Sequence, residues 1–225
     1  MDKTKIAVKI FDNCAKQYQD KFMGLELYHD SLDLFCASIE QENAAVLDIA
    51  CGPGNISKYL LEKRPGFKIL GIDLSAKMIE LARLNNPAAE FQVLDCRVIG
   101  QLGQKYDAAV CGFGLPYLSK EEALKLIREV AGLLRSGGVF YLSTMEDDYR
   151  KSGFKGSSSG GEEKMYIHYH QADYLTEALR ENGFEIMDLQ RKAYPEPDGA
   201  STTDLLVVAK KTDERATVIA STPPS

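Results

Sequence analysis

The sequence has 225 residues, the length of one domain or of one domain with a small appendage. Hydrophobic residues make up 44% and charged residues 27% of it, which excludes a chain that is disordered throughout. Its 27 basic and 33 acidic residues give a net charge of −6, a balance that disfavours nucleic acid as the main partner.

Residues 1–42 are predicted to form a helical cap on the rest of the domain. Apolar side chains recur at steps of three to five residues from Ile6 to Phe22, and a second apolar series runs from Leu25 to Ile39.

Residues 43–145 alternate short apolar runs with helical stretches. We predict strands at 44–49, 68–73, 91–94, 106–111 and 139–143, and helices at 55–64, 75–84 and 119–134. Ser119 and Glu122 form a capping box at the start of the last helix, and Gly137-Gly138 is predicted to end it. This alternation implies right-handed β-α-β units and a parallel sheet.

The last third of the chain has a different pattern. Its Gly- and Ser-rich residues 152–161 predict a mobile loop over the sheet edge, and residues 165–170 a short strand. A helix is predicted at 171–182 with Gly183 after its end, then two strands at 184–193 and 203–211. Their short connection favours an antiparallel pair. We predict a disordered tail at 212–225.

Together these elements predict one α/β domain over residues 1–211. Its sheet would be Rossmann-like, doubly wound, seven-stranded and mostly parallel, with an antiparallel C-terminal hairpin and the N-terminal helical cap. Residues 43–145 would form the ligand-binding core, and residues 146–211 would supply a substrate loop, a helix and the last strands.

An aspartate ends each of the first three predicted strands: Asp48, Asp73 and Asp95. Ligands of open parallel sheets bind beyond the carboxyl ends of the strands, so we expect these acids to share one crevice. The first strand also runs into a turn, residues 50–54 (ACGPG), whose small side chains let a ligand approach the backbone.

The turn does not match the G-x-G-x-x-G pattern of dinucleotide-binding proteins. Pro53 removes one N–H from the turn, and Asp48 would repel a pyrophosphate. The same charges suit a cationic ligand that carries a ribose: Asp48 favours an ammonium or sulfonium, and Asp73 lies 19 residues after Gly54, where an acid binds ribose hydroxyls. Asp95 could accept a hydrogen bond from a purine amine.

Several motifs in order resemble those of class I S-adenosylmethionine-dependent methyltransferases. They stand at residues 46–54 (VLDIACGPG), 71–75 (GIDLS), 95–96 (DC), 106–110 (YDAAV) and 133–138 (LLRSGG). The resemblance covers residues 44–145 in register, followed by a family-like helix and hairpin. It departs from the family's D-x-G-x-G-x-G turn at Ala50, where a glycine is usual.

The resemblance implies S-adenosylmethionine as the cofactor and assigns it residues. Asp48 would lie near the amine of its methionine half, Asp73 would bind the ribose hydroxyls, Asp95 would bind the adenine amine, and Phe11 or Tyr18 would reach the cofactor from the N-terminal segment. The other implied positions are Ala50, Gly52 and Gly54 along the methionine half, Leu74 and Met78 beside the adenine, the Cys96 backbone at a ring nitrogen, and Cys111, Gly112 and Phe113 beside the sulfonium.

The resemblance further implies direct transfer of a methyl group to a small molecule in a desolvated pocket. Two alternatives stay open: an NAD(P)-dependent oxidoreductase, and a protein that binds S-adenosylmethionine without catalysis. No general base is obligatory, and the candidates for one are His168, His170 and Tyr18. Four tyrosines are further candidates to line an amphiphilic pocket: Tyr117, Tyr149, Tyr166 and Tyr169.

Other features bound the partners and the compartment. His168 and His170 without a third ligand make a poor metal site, so no metal is expected. Five cysteines without a C-x-x-C pair predict free thiols in the cytoplasm. No apolar run approaches ~18 residues and no secretion signal is recognisable, so we expect neither membrane insertion nor export. A monomer or homodimer is expected.

Overall fold

The computed structural model describes residues 3–24, 26–156, 164–195 and 201–212. Residues 213–225 of the predicted tail and residues 157–161 of the predicted loop lie outside the described residues. The helices are α1 (Lys3–Phe22), α2 (His29–Ala37), α3 (Asn55–Lys63), α4 (Ala76–Asn85), α5 (Lys120–Leu133) and α6 (Ala172–Glu181). The strands are β1 (Ala45–Ile49), β2 (Lys68–Asp73), β3 (Glu90–Val93), β4 (Tyr106–Gly112), β5 (Leu134–Glu146), β6 (Gly153–Gly156), β7 (Lys164–Ile167), β8 (Phe184–Pro195) and β9 (Ser201–Lys211).

Seven strands form one sheet in the order β3-β2-β1-β4-β5-β9-β8. The first five run parallel to one another, whereas β9 is antiparallel to both β5 and β8. From β1 the chain builds outward to β3 and then returns to add β4 on the other side. The two directions separate between β1 and β4, which is where open sheets of this kind bind ligands. The predicted fold class is confirmed.

The sheet is buried on both faces. Leu47, Phe140 and Val207 belong to a core that includes α5 and α6, whereas Val46, Tyr141 and Val208 belong to a core that includes α2 and α3. Successive strand residues alternate between the two faces, so the central strands read as unbroken apolar runs. None of the helices in the described ranges combines the length and apolar character that crossing a bilayer requires.

Helix α1 and a second, two-stranded sheet cap the carboxyl end of the main sheet. Strands β6 and β7 pair antiparallel, and Ile10 and Cys14 of α1 pack against Met165 and Ile167 of β7. This cap covers the edge at which the predicted acidic residues lie.

Three predicted boundaries are wrong. Strand β5 begins directly after α5 at Leu134, not at Val139, because Gly137 adopts a left-handed φ of 73° inside an irregular part of the strand. Residues 153–156 of the predicted loop form β6, because β7 supplies a pairing partner. The strand predicted at 165–170 ends at Ile167, and His170 makes only an isolated bridge with Glu146.

Candidate functional site

A cavity that is open to solvent lies between α1 and the carboxyl ends of β1 to β4. We call it the first cavity. Its walls contain nine of the twelve residues predicted to bind the cofactor: Ala50, Gly52, Asp73, Leu74, Met78, Asp95, Cys96, Gly112 and Phe113. Helix α1 adds Thr4, Ala7, Val8, Phe11 and Tyr18, and the segment after β4 adds Gly114, Tyr117 and Leu118.

Two non-glycine residues of the wall have left-handed backbone conformations. Ala50 follows β1 and Phe113 follows β4, each with a φ of 55°. This conformation costs a residue with a Cβ about 1–2 kcal/mol, so the packing around both turns must hold it in place. Gly52, with a φ of 52°, adopts the same conformation without that cost.

Asp73 connects two of the loops that form the cavity. One carboxylate oxygen accepts a hydrogen bond from the Gly52 N–H at 3.0 Å, and the other accepts one from the Ser75 N–H at 2.8 Å. Burial raises the pKa of Asp73 above its ordinary value, and these hydrogen bonds oppose that rise. Because a carboxylate has about four acceptor positions, Asp73 keeps capacity to bind hydroxyl groups in the cavity.

Asp95 lines the same cavity but is already paired with Arg97. The guanidinium of Arg97 donates from Nε to both carboxylate oxygens at 3.0 Å, and from Nη2 to Oδ2 at 2.6 Å. Burial opposes ionisation of Asp95, but the hydrogen bonds from Arg97 outweigh it and hold the pKa below its ordinary value. Arg97 also forms an ion pair with Glu122, so the Asp95 that lines the cavity belongs to a network of three charged side chains.

Asp48 lies behind the cavity wall, and its exposed fraction is 1%. The Ser57 hydroxyl of α3 donates a 2.6 Å hydrogen bond to it. Burial, with a smaller contribution from the charge of Asp73, raises the pKa of Asp48 to about 7. It thus acts on the cavity through the turn that follows β1, not by lining the wall.

Helix α1 is fastened over the cavity at two points. Asp12 accepts a 2.6 Å hydrogen bond from the Ser75 hydroxyl and one from the Lys77 N–H at 3.2 Å, at the start of α4. Gln19 accepts a 2.9 Å hydrogen bond from Asn85 near the end of α4. Between them, Tyr18 lies close enough to Gly52 that a Cβ there would meet its ring at 3.8 Å. The cavity is therefore closed on this side by α1.

The remaining predicted cofactor-binding residues do not line the first cavity. Gly54 precedes α3 with a φ of 79°, where a Cβ would approach the Asn86 amide to 2.4 Å. Cys111 is buried in the core beneath the wall, and burial raises the pKa of its thiol to about 12.

The two histidines proposed as bases also lie outside the cavity walls. His170 is fully buried, its Nε2 lies 2.9 Å from the Leu115 carbonyl oxygen and its Nδ1 contacts the Tyr174 hydroxyl. Burial lowers its pKa to about 4. Nδ1 of His168 lies 3.2 Å from the Tyr149 hydroxyl. Among the described residues, no three His, Cys, Asp or Glu side chains gather closely enough to hold a metal ion.

A second, smaller cavity adjoins the first on the side of α2 and β5. Both cavities are lined by Tyr18, Ala50, Gly52, Gly112 and Phe113, so the turns after β1 and β4 form their junction. The second cavity adds residues that sequence reasoning missed: Tyr28, Asn55, Tyr141 and Ser143. Strand alternation places Tyr141 and Ser143 on one face, a signal that could have identified them.

A family model described as a methyltransferase domain matches residues 46–138, from β1 into β5. This match identifies a methyltransferase domain over less than half of the chain. Among similar proteins is the demethylmenaquinone methyltransferase of Thermotoga maritima, 26% identical over 215 residues, with 81% of this chain and 89% of the relative covered. Another is the ubiquinone biosynthesis O-methyltransferase of Xanthomonas campestris, 32% identical over 120 residues, with 51% and 48% covered.

A solved structure supports the fold of this chain. The 1,6-didemethyltoxoflavin-N1-methyltransferase of Burkholderia thailandensis, whose crystal structure contains S-adenosylhomocysteine, matches with a TM-score of 0.67 and 22% identity. The match covers 93% of this chain and 88% of that one. At this level of identity the likeness concerns the fold alone. The chain spans about half the length, or less, of several curated relatives that it matches.

The methyltransferase cofactor fits the observed walls. The backbone turns at Ala50, Gly52 and Phe113 leave room for a ligand, and Asp73 offers its unused acceptor positions to hydroxyl groups. The apolar side chains of Leu74 and Met78 also line the first cavity, and they suit the flat, apolar faces of an adenine ring.

Proposed function

We propose that this protein transfers a methyl group from S-adenosylmethionine to a small-molecule acceptor. The bound cofactor supplies an activated methyl group on a sulfonium. The chain's task is therefore to bind the cofactor and the acceptor, to align the acceptor with the methyl group, and to exclude water. Relatives named for menaquinone and ubiquinone biosynthesis, and a neighbour named for toxoflavin, support an acceptor that is a small molecule.

The observation that carries the proposal is the position of Asp73. Its carboxylate is held by the backbone N–H groups of Gly52 and Ser75, lines the first cavity and still has acceptor positions to spare. An acid fixed in this way can bind two neighbouring hydroxyl groups, which is the chemistry that a ribose needs. We assign the ribose to Asp73 and the adenine to the wall formed by Leu74, Met78 and Asp95.

The methionine half is assigned to Ala50, Gly52 and the turn after β4. Asp48 supports this half from behind the wall as a buried acid, and Gly54 shapes the start of α3. Tyr18 covers the junction of the cavities from α1. Because His168 and His170 do not line either cavity, we assign the proton transfer to neither of them.

An oxidoreductase that binds NAD(P) is a weaker proposal. Pro53 lacks an N–H for a pyrophosphate, and the buried Asp48 next to the turn would oppose two phosphate charges. A protein that binds the cofactor without catalysis would share the first cavity and differ only in turnover.

The test is calorimetry with S-adenosylhomocysteine and NADH, followed by transfer of a labelled methyl group to a metabolite pool. We expect Asp73→Asn to weaken binding of S-adenosylhomocysteine about 100-fold, which corresponds to about 2.7 kcal/mol. The matched control is Asp107→Asn, because Asp107 also accepts a backbone N–H, that of Ala45 at 2.8 Å, but at the opposite end of the sheet. Tight binding of NADH alone, or equal losses in both variants, would refute the proposal.

We further propose a cytoplasmic location and a monomeric or homodimeric state. All five cysteines are free thiols, which suits a reducing compartment. Fractionation of the cells that make the protein, and light scattering after size exclusion, test the two proposals.

A further inference from the structure

A buried polar cluster lies beside the second cavity, in a core that is otherwise apolar. The Tyr28 hydroxyl donates a 2.7 Å hydrogen bond to Asp204, and the Tyr141 hydroxyl lies 3.3 Å from that of Ser31. Asp204 is 3% exposed and Tyr141 1%. Burying such groups among apolar side chains costs free energy unless they are paired. A buried polar cluster next to a cavity is therefore a candidate functional site.

The cluster is adjacent to the junction of the two cavities. Tyr28, Tyr141 and Ser143 line the second cavity, and the ring of Tyr28 lies 5.3 Å from that of Phe113. The Phe113 N–H donates to the Ser143 hydroxyl at 3.1 Å, which ties the cluster to the turn after β4. If the proposed function is right, the methyl group is delivered at this junction, and the second cavity holds the acceptor.

The chemistry of the walls selects among acceptors. None of the residues that line the second cavity in the described part of the chain is Lys, Arg or His. A carboxylate acceptor would therefore lack a cation there. Because the Tyr28 hydroxyl donates its hydrogen bond to Asp204, the lone pairs of its oxygen are left to accept a hydrogen bond from a ligand.

We infer that the second cavity binds an acceptor whose nucleophile carries its own proton, a hydroxyl or an amine, and that Tyr28 contacts this proton while Asp204 receives the proton of Tyr28. This inference rests on the proposed function and specifies its substrate class.

The proton and the electrons balance in this scheme. The nucleophile keeps the electron pair of its O–H or N–H bond and forms the bond to the methyl carbon, while the pair of the broken carbon–sulfur bond stays on sulfur. The proton of the nucleophile moves to Tyr28 Oη as the proton of Tyr28 moves to Asp204. The positive charge of the sulfonium and the negative charge of Asp204 disappear together. Tyr28 is thus a catalytic residue, and Asp204 is a positioning residue that acts through it.

The chain offers a matched control for this pair. Tyr59 also donates a 2.7 Å hydrogen bond to an aspartate, Asp33, but it lines neither cavity. Tyr59→Phe therefore removes an equivalent hydrogen bond without touching the proposed acceptor site, whereas Tyr28→Phe removes only the hydroxyl and keeps the ring against Phe113.

The first experiment measures binding of phenol, benzylamine and benzoate by calorimetry to protein saturated with S-adenosylhomocysteine. We expect phenol or benzylamine to bind at least tenfold more tightly than benzoate, Tyr28→Phe to remove this preference, and Tyr59→Phe to preserve it. Equal or tighter binding of benzoate, no detectable binding of phenol and benzylamine, or a preference that survives in Tyr28→Phe overturns the inference. Failure of the wild type to bind S-adenosylhomocysteine overturns the proposed function itself.

The second experiment measures methyl transfer to whichever of the two preferred probes binds. We expect Tyr28→Phe to lower kcat/KM about 100-fold, a usual size for a lost proton acceptor. Asp204→Asn can still accept the hydrogen bond of Tyr28 but not its proton, so kcat should fall at least tenfold while KM stays within twofold. An unchanged kcat in Asp204→Asn overturns the relay. Loss of S-adenosylhomocysteine binding in both variants but not in Tyr59→Phe would reveal a structural role and overturn it as well.

Discussion

Replacing the buried Asp48 by asparagine should make the cofactor-free protein more stable above neutral pH. Burial raises the pKa of this carboxyl group from 3.8 to about 7. One pKa unit is equivalent to 1.36 kcal/mol, so the ionised carboxylate destabilises the folded state by about 4 kcal/mol. Asparagine keeps an oxygen that accepts the hydrogen bond of Ser57 and never ionises.

The pH dependence follows from which state holds the proton more tightly. The folded state does, because its pKa is the higher, so the unfavourable contribution of Asp48 is absent below about pH 4, grows between pH 4 and 7, and is complete above pH 7. The stability of Asp48→Asn relative to the wild type should therefore increase by about 2–3 kcal/mol between pH 5 and pH 8. Constant costs of the substitution, such as an unpaired amide N–H, cancel in that difference.

The assay is urea denaturation of both proteins without cofactor at pH 5, 6.5 and 8. Glu62→Gln, which removes an exposed carboxylate of α3 whose nearest cation is Lys58 at 3.9 Å, shows whether loss of any negative charge has the same effect. A stability difference between Asp48→Asn and the wild type that does not change with pH would refute the reasoning. In the same variant, affinity for the cationic S-adenosylmethionine should fall more than affinity for the uncharged sulfur of S-adenosylhomocysteine.

Two further predictions concern the walls of the first cavity. Gly52→Ala places a Cβ on a residue with a φ of 52°, so it should lower stability by about 1 kcal/mol and weaken S-adenosylhomocysteine binding at least tenfold, as measured by calorimetry. Gly132→Ala, whose Cβ would meet nothing within 4 Å, is the control, and equal affinities in the two variants would contradict the prediction. Asp12→Ala removes one of the two contacts that fasten α1 to α4, so release of S-adenosylhomocysteine in stopped flow should accelerate about tenfold. Asp20→Ala, exposed on the same helix, should leave the rate unchanged, and equal rates in both variants would show that α1 does not retain the ligand.

The fold could be predicted because its signals are local. Apolar runs, the capping box at Ser119 and the left-handed Gly183 after α6 each depend on residues a few positions apart. The errors occurred where a distant partner decides the structure. Gly137-Gly138 is a plausible helix end, but β4 pairs with Leu134 before the two glycines and with Val139 after them, so β5 begins at Leu134. Residues 153–156 are strand only because β7 pairs with them.

The candidate site was predictable to the extent that strand ends determine it. Asp73 ends β2, Asp95 follows β3, and both line one cavity. The burial of Asp48 could have been derived from strand alternation, since it shares a face with Val46. The pairing of Tyr28 with Asp204 could not, because it joins residues that are 176 positions apart in the sequence.

The three strand-end acids differ in the charge that each presents to a ligand. Asp95 is neutralised by Arg97, and Asp48 has a pKa of about 7, so near neutral pH much of its population is protonated. Asp73 lines the cavity and forms no ion pair within the described part of the chain; the N–H groups of Gly52 and Ser75 stabilise its charge. The cavity therefore carries its strongest negative potential at Asp73 and a weaker one at the other two acids. A ligand with hydroxyl groups near Asp73 and a cationic centre farther along the turn after β1 matches this charge distribution better than a ligand with phosphates. The match depends on the hydrogen-bond and ion-pair partners of the three acids, not on the number of acids.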